Sequence, residues 1–151
     1  MLSEDERELG VGVLDIGGGT SDFALYQHGT IRHTVVLPVA GNHFTNDIAV
    51  VGLRTTLKDA ERVKLEYGCA YTPLLEEVTI EVELVQGAGN QLVSNKELLC
   101  IIEPRAVELF TLIYEDIAAK ALLPMMQSGL VLTGGGAMLK GMPELAHTLF
   151  S

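Results

Sequence analysis

Short apolar runs separated by glycine-rich turns dominate the first part of the chain. The first run is Val11–Ile16, the second covers residues 23–27, and the third covers residues 31–39. Because the turns between these runs are short, the pattern predicts three consecutive antiparallel strands. Pro38 cannot donate to a strand ladder, which places the end of the third strand at a sheet edge or exit.

The spacing of the apolar residues becomes helical after Gly41. One helix is predicted by three apolar residues on one face, and a second runs from the N-cap Thr56 to a stop at Gly68. Residues 78–84 then alternate strictly between apolar and polar, which predicts a strand with one face in water. The apolar face of the helix after Gly41 consists of Phe44, Ile48 and Val51, with Leu53 as a further candidate.

In the last third of the chain, the pattern of apolar residues predicts one strand with helices before and after it. Helical spacing from residue 95 is interrupted at Glu103 and Pro104, and Pro104 suits the first position of a new helix that ends near Leu123. Residues 129–133 are a strand of the buried type, and Pro143 begins the last helix. This order of elements predicts an α/β fold.

Composition narrows the class of protein without identifying it. At 151 residues the chain has the size of one domain, and 48% hydrophobic residues are enough for a core, which excludes a disordered chain. Twenty acidic residues against ten Lys and Arg leave a net charge of −10, which argues against nucleic acid as a partner. The two cysteines and four histidines form no ligand cluster, so side chains alone are not expected to bind a metal ion.

A glycine triplet at residues 17–19 lies between the first two predicted strands. Glycines there allow close backbone approach, so that consecutive N–H groups can converge on an anion, with the Thr20 hydroxyl as a further donor. Asp15 ends the first strand and could orient Mg²⁺ or its waters beside a phosphate. Taken alone, a tight glycine hairpin is an equally good interpretation of this run.

A second triplet at residues 134–136 follows the last predicted strand where it turns into a helix. These glycines would let a flat ring lie against the backbone, with Met138 over one face, although taken alone a plain strand-to-helix turn explains them better. Neither triplet fits the standard motifs. Asp22 and Leu139 stand where a Rossmann fingerprint needs glycine, and Gly18 stands where a P-loop needs lysine. Together, the triplets suit the two ends of one nucleotide.

At these motifs the chain resembles the actin-like ATPase superfamily. Residues 15–22 are similar to its second phosphate motif, and residues 133–138 are similar to its adenosine motif. The runs at 41–49 and 102–105 resemble more closely the FtsA family of bacterial cell-division proteins. This resemblance extends from about residue 10 to residue 150 and is weakest over 73–92.

The resemblance implies an α/β fold of a particular kind, the ribonuclease-H-like lobe of the actin fold. Such a lobe has a mixed sheet with flanking helices and an inserted smaller α+β subdomain. In this chain the core would be residues 9–41 and 104–151, and the insert would be residues 42–103. Residues 1–8 would be an acidic N-terminal lead.

The resemblance also implies ATP and Mg²⁺ as cofactors. Asp15 would lie near the metal ion, and Glu61 with Lys64 would contact ribose and adenine, although an ordinary solvated helix face is the alternative for this pair. Four residues would hold the β- and γ-phosphates, Gly41 would lie beside the nucleotide, and four more would line the adenine pocket. The phosphate residues are Gly17, Gly18, Gly19 and Thr20, and the adenine residues are Gly134, Gly135, Gly136 and Met138.

The same resemblance implies which proteins would be binding partners. The insert of this family binds the C-terminal tail of FtsZ, and Arg105 and Glu108 look like tail-contacting positions, with an ion pair of Arg105 to Glu108 or Glu103 as the equal alternative. The full protein would self-associate into actin-like filaments and meet other division proteins. It would act in the cytoplasm, at the inner-membrane face of the division site, through a C-terminal membrane helix that this chain lacks.

The motifs present belong to one lobe of a two-lobed ATPase. The first phosphate motif, the first connecting motif and the catalytic acid or glutamine of the other lobe are missing, so an isolated lobe or truncated gene product is expected. We therefore predict an ATP-binding lobe of a protein that anchors FtsZ at the septum, with ATPase activity at most in the full protein and none in this chain alone. The alternatives are the ATP lobe of a sugar or acetate-type kinase, an MreB-like filament protein or a pilus-assembly homologue.

Overall fold

The computed structural model describes residues 2–150, which fold around a four-stranded mixed sheet. Strands β1 (Val11–Ile16), β2 (Ser21–Gln27) and β3 (Thr30–Leu37) pair antiparallel in chain order. Strand β6 (Leu130–Thr133) lies parallel to β1, which gives the order β3-β2-β1-β6. The predicted meander and the α/β class are confirmed.

Helices and a small second sheet surround this sheet. A two-stranded sheet pairs β4 (Thr79–Glu83) with β5 (Asn90–Ser94). No helix among residues 2–150 is both long enough and apolar enough to cross a membrane. The helices are α1 (Glu4–Leu9), α2 (Gly41–Asn46), a π-helical segment (Asp47–Gly52) that directly continues α2, α3 (Leu57–Tyr67), α4 (Asn95–Ala119) and α5 (Met142–Phe150).

Caps explain where the shorter helices begin. The backbone N–H of Asp59 donates to the Thr56 hydroxyl at 3.1 Å, which confirms Thr56 as the N-cap of α3. Most of α1 lies in the acidic lead, and this helix was not predicted from the sequence. Its capping box consists of two reciprocal bonds, Glu6 N–H to Ser3 Oγ at 3.1 Å and Ser3 N–H to Glu6 Oε1 at 3.0 Å.

The predicted break at Pro104 is wrong, because α4 continues through it as one 25-residue helix. Proline has no N–H for the Cys100 carbonyl, and an interior proline costs about 3 kcal/mol. Burial on both sides outweighs this cost, since each buried Leu, Ile or Phe side chain contributes roughly 1.5–3 kcal/mol. These side chains join residues of both sheets in one hydrophobic cluster: Leu98, Ile102, Leu109, Phe110, Ile113 and Ile117. The proposed boundary between residues 103 and 104 thus lies inside α4, and the division into core and insert stays a prediction.

The helix after Gly41 also differs from the prediction. Phe44 and Ile48 are buried as expected, but Val51 is 78% exposed. The reason is that the helix changes to π geometry at Asp47, with the N–H of Leu53 donating to the Ile48 carbonyl at 2.9 Å. The wider π turn carries Val51 off the buried face.

An ion-pair cluster fastens α4 to the edge strand β3. His33 Nε2 lies 2.6 Å from Asp116 Oδ2, and Lys120 bonds to the other oxygen of the same carboxylate. The hydrogen bond from Lys120 lowers the pKa of Asp116, partial burial opposes this effect less strongly, and the bond from His33 adds to it. The charged form of Asp116 therefore stabilises the fold.

We expect the Asp116→Asn variant to be less stable than the wild type at neutral pH by about 1–2 kcal/mol, because it loses hydrogen bonds to an ionised group. The folded pKa lies below the unfolded value of about 3.9, so this stabilisation is present above that value and is lost as the pH falls through the folded pKa. Urea unfolding as a function of pH measures the difference. It should vanish in strong acid, whereas Glu115→Gln, at an exposed neighbour, should change little at any pH. A difference that persists unchanged in acid would contradict this assignment.

Candidate functional site

The two glycine triplets meet because the strands that precede them are parallel neighbours. Asp15 of β1 pairs with Thr133 of β6, so both strands end at the same sheet edge. Gly134 has a φ of +87° and a ψ of 169°, a conformation restricted to glycine. A Cβ atom there would lie 2.4 Å from Asp15 Oδ1 and 2.5 Å from the Ile16 carbonyl oxygen. The second triplet therefore packs directly on the end of β1.

A cavity of about 560 Å³ opens beside the triplets, which is within the usual range for small-molecule sites. Its walls include most of the residues that the sequence analysis assigned to a nucleotide: Gly17, Gly18, Gly41, Glu61, Lys64, Gly135, Gly136 and Met138. Four assigned residues are not on the walls: Asp15, Gly19, Thr20 and Gly134. The first three of these are exposed and belong to the strand end and loop that also supply Gly17 and Gly18.

The loop at 17–19 presents two free amide groups. The Gly17 carbonyl accepts the Gly41 N–H at 2.9 Å, and the Gly18 carbonyl accepts the Asn42 N–H at 2.8 Å. In a trans peptide the carbonyl and the following N–H point in opposite directions, so the N–H groups of Gly18 and Gly19 point away from α2. Neither donates a hydrogen bond in the part of the chain that the structure describes. Two adjacent, unpaired N–H groups can bind an anion.

Lys64 lies at the centre of a polar cluster that joins α3 to α2. Its Nζ donates to the Gly41 carbonyl at 3.2 Å and to Thr45 Oγ1 at 3.0 Å, and it lies 2.9 Å from Glu61 Oε2. The Lys64 side chain is only 11% exposed, so it is not part of an ordinary solvated helix face. The cluster fixes the ammonium group beside the residue that begins α2.

Glu61 keeps its charge at the open side of this cluster. Partial burial raises its pKa, but the hydrogen bonds from Thr45 and Lys64 together outweigh that effect and lower the pKa of Glu61 below its usual value. The Glu61 side chain is 44% exposed, which leaves its carboxylate accessible to a ligand hydroxyl. Thr45 and the cavity residue Asn42 were not predicted as site residues, although their position on the helix that Gly41 begins was an available signal.

Asp15 and Asp22 face each other as cross-strand partners of β1 and β2, and both are exposed. Like charges in this arrangement repel, so a nearby cation would be favourable. No group of three His, Cys, Asp or Glu residues that could hold a metal ion occurs among residues 2–150. The residues therefore fit Mg²⁺ that takes one or two carboxylates together with phosphate oxygens, which is its common mode of binding.

Arg105 lies outside this cavity and forms a two-point ion pair with Asp47. Its Nε lies 2.7 Å from Asp47 Oδ2, and its Nη2 lies 2.8 Å from Asp47 Oδ1. Glu108 Oε2 accepts a third bond at 3.1 Å, so the predicted Arg105–Glu108 pair is present but is the lesser contact. The hydrogen bond to Asp47 is the main cause of the raised pKa of Arg105. The Arg105 side chain is still 29% exposed.

The chain is similar to known proteins in both sequence and fold. Residues 12–151 match the family model described as Cell division protein FtsA. The chain is 43% identical over 151 residues to the cell division protein FtsA of Pseudomonas aeruginosa, which covers 99% of this chain and 36% of that protein. The chain spans about a third of the length of the curated relatives it matches.

Solved structures of other proteins have the same fold as this chain. The crystal structure of MreB5 of Spiroplasma citri bound to ADP superposes with a TM-score of 0.81 at 26% identity, over 98% of this chain and 48% of that one. The MamK double helical filament gives a TM-score of 0.67 at 24% identity, over 92% of this chain and 46% of that one, and shows the fold alone. These neighbours have the actin fold, and the chain belongs to the FtsA family of actin-like cell-division proteins.

Proposed function

We propose that the chain is the ATP-binding lobe of an actin-like division protein that recruits FtsZ and anchors it at the septum. The observation that carries the nucleotide assignment is the pair of unpaired N–H groups on Gly18 and Gly19, on the loop that forms one wall of the cavity. A phosphate group there would accept both hydrogen bonds. The ADP bound by the MreB5 neighbour supports the same class of ligand.

The remaining parts of the nucleotide follow from the other walls. The phosphates would occupy the loop from Gly17 to Thr20, and Glu61 with Lys64 would contact the ribose and base. Met138 is 85% exposed, which leaves its side chain free to cover an adenine ring placed against Gly135 and Gly136. When bound, Mg²⁺ would neutralise phosphate charge, and Asp15 would hold it through water.

We expect the chain to bind Mg·ATP and Mg·ADP weakly, with dissociation constants between roughly 10 μM and 1 mM, because it supplies only one wall of a two-lobed site. It should not hydrolyse ATP. A ¹H–¹⁵N NMR titration measures binding and locates it through the amide signals of Gly17, Gly18, Gly19 and Thr20. Signals that move elsewhere but not in this loop would contradict the assigned site. Turnover at the rate of an intact two-lobed ATPase would contradict the assigned role.

We further propose that the insert at residues 42–103 and the adjoining Arg105 and Glu108 receive the C-terminal tail of FtsZ. Arg105 supports this because its side chain is 29% exposed and its guanidinium already holds a carboxylate, that of Asp47, in two-point geometry. Self-association into filaments is proposed for the full protein, as the filament-forming MamK neighbour has the same fold. We place the full protein at the cytoplasmic face of the inner membrane.

The Arg105→Glu substitution should abolish binding of a labelled FtsZ tail peptide, because it reverses the charge that the carboxylates of the peptide would meet. Fluorescence anisotropy measures the affinity, and circular dichroism checks that the variant is folded. Arg32→Glu makes the same charge change at an exposed arginine on β3 and should bind the peptide like the wild type. Equal binding by the Arg105→Glu variant, or no binding by any protein, would contradict the proposed partner site.

A further inference from the structure

One continuous helix, formed by α2 and the π-helical segment, extends from the cavity to Arg105. At its start, the N–H groups of Gly41 and Asn42 donate to the loop carbonyls of Gly17 and Gly18. Further along, Asp47 accepts the two-point bond from Arg105 of α4. The proposed phosphate loop and the proposed partner surface are therefore attached to the same helix, residues 41–52.

The start of this helix and the proposed phosphate site contact opposite sides of the same two peptide planes. The planes whose N–H groups belong to Gly18 and Gly19 are the same planes whose carbonyls hold Gly41 and Asn42. A phosphate that engages these N–H groups fixes the orientation of both planes. It also polarises the hydrogen bonds on their other side, which strengthens the hold on the start of the helix.

The far end of the helix has π geometry, whereas the pattern of its apolar residues predicts α geometry. At Asp47, whose N–H is shared between the carbonyls of His43 and Phe44, the helix turns from α to π geometry. The sequence pattern of Phe44, Ile48 and Val51 fits an α register, in which Val51 would be buried. In the π register Val50 and Val51 are exposed instead. π-helical geometry is rare in proteins and occurs frequently at functional sites.

We propose that helix 41–52 couples the nucleotide cavity to the Arg105 surface, and that Asp47 is the positioning residue that joins them. Phosphate bound at Gly18 and Gly19 holds the start of the helix, the helix holds Asp47, and Asp47 orients the Arg105 guanidinium. The coupling is reciprocal. If nucleotide changes the affinity for an acidic peptide that takes Arg105 away from Asp47, the peptide changes the affinity for nucleotide by the same factor. This coupling rests on the proposed nucleotide site.

NMR spectroscopy of the ¹⁵N-labelled chain tests the coupling, with Mg·ADP as the probe. In the wild type, Mg·ADP should shift the Gly18 and Gly19 amides and the Arg105 Nε–Hε signal. It should also slow amide hydrogen exchange at residues 50–53 by about fivefold or more, the lower end of typical coupling between sites. Asp47→Asn keeps the side-chain shape and removes the charge, so the responses at residues 50–53 and at Arg105 should be lost while Gly18 and Gly19 still respond. Glu115→Gln removes an exposed charge from α4 and should respond like the wild type.

Each alternative result has a distinct meaning. Responses at Arg105 and residues 50–53 that persist in the Asp47→Asn variant would overturn the role of Asp47. A wild-type response confined to Gly18 and Gly19 would overturn the coupling and leave the nucleotide site intact. No response at Gly18 and Gly19 would overturn both proposals. Asp47→Glu keeps the carboxylate and should restore the Arg105 response, and a folded Asp47→Glu variant that fails to do so would also overturn the proposal.

Discussion

An alanine at Gly134 should lower the free energy of unfolding by roughly 2–4 kcal/mol, combining a glycine-only backbone conformation with a backbone clash. The clash arises because the new Cβ would lie 2.5 Å from the Ile16 carbonyl oxygen. Gly135 provides a matched control on the next residue, since a Cβ there meets no atom within 4 Å and its φ is not in the left-handed region. The Gly135→Ala variant should therefore change stability by less than about 1 kcal/mol.

Thermal unfolding of the two variants measures this difference. Each kcal/mol shifts the midpoint by about 2–4 °C for a chain of this size, so Gly134→Ala should unfold several degrees below Gly135→Ala. Gly134→Ala also displaces Asp15 and the end of β1, so this variant should bind nucleotide more weakly. Indistinguishable midpoints would mean that the second triplet does not pack on β1 as described.

The elements that the sequence predicted best are those whose limits are set by neighbours along the chain. Strand β1 occupies the predicted Val11–Ile16 because an apolar run is followed directly by residues 17–19, which cannot extend it. The N-cap Thr56 is a local feature of the same kind. Pro104 and Val51 were predicted wrongly, because the packing of α4 and the π register after Asp47 depend on distant contacts that no local pattern records.

The candidate site also has some features that the sequence predicts and others that it does not. The two glycine triplets could be identified directly from the sequence. Glu61 and Lys64 were expected on one helix face because they are three residues apart. The parallel pairing of β1 with β6, which brings the triplets together, could not be predicted because it depends on strand order in the sheet. The Asp47–Arg105 pair joins residues 58 positions apart and could not be predicted either.

The Lys64→Met substitution should weaken nucleotide binding by about 10- to 100-fold, the effect of losing hydrogen bonds from a charged group worth about 1.5–3 kcal/mol. Methionine matches the apolar stem of lysine up to Cε but removes all three contacts of Nζ, those to Gly41, Thr45 and Glu61. The start of α2 then loses its anchor to α3. Glu61 also loses its cation beside the position proposed for the ribose.

Lys58→Met is the matched control for this prediction, because Lys58 is an exposed residue on the same helix and the change in charge and size is identical. It should bind Mg·ADP like the wild type, which separates the loss of the Lys64 contacts from a general change in charge. Isothermal titration of all three proteins below their unfolding transitions measures the affinities. Equal weakening by both substitutions would attribute the effect to charge. Unchanged affinity in Lys64→Met would show that the polar cluster around Lys64 does not support the nucleotide site, because its contacts would then contribute to the fold alone.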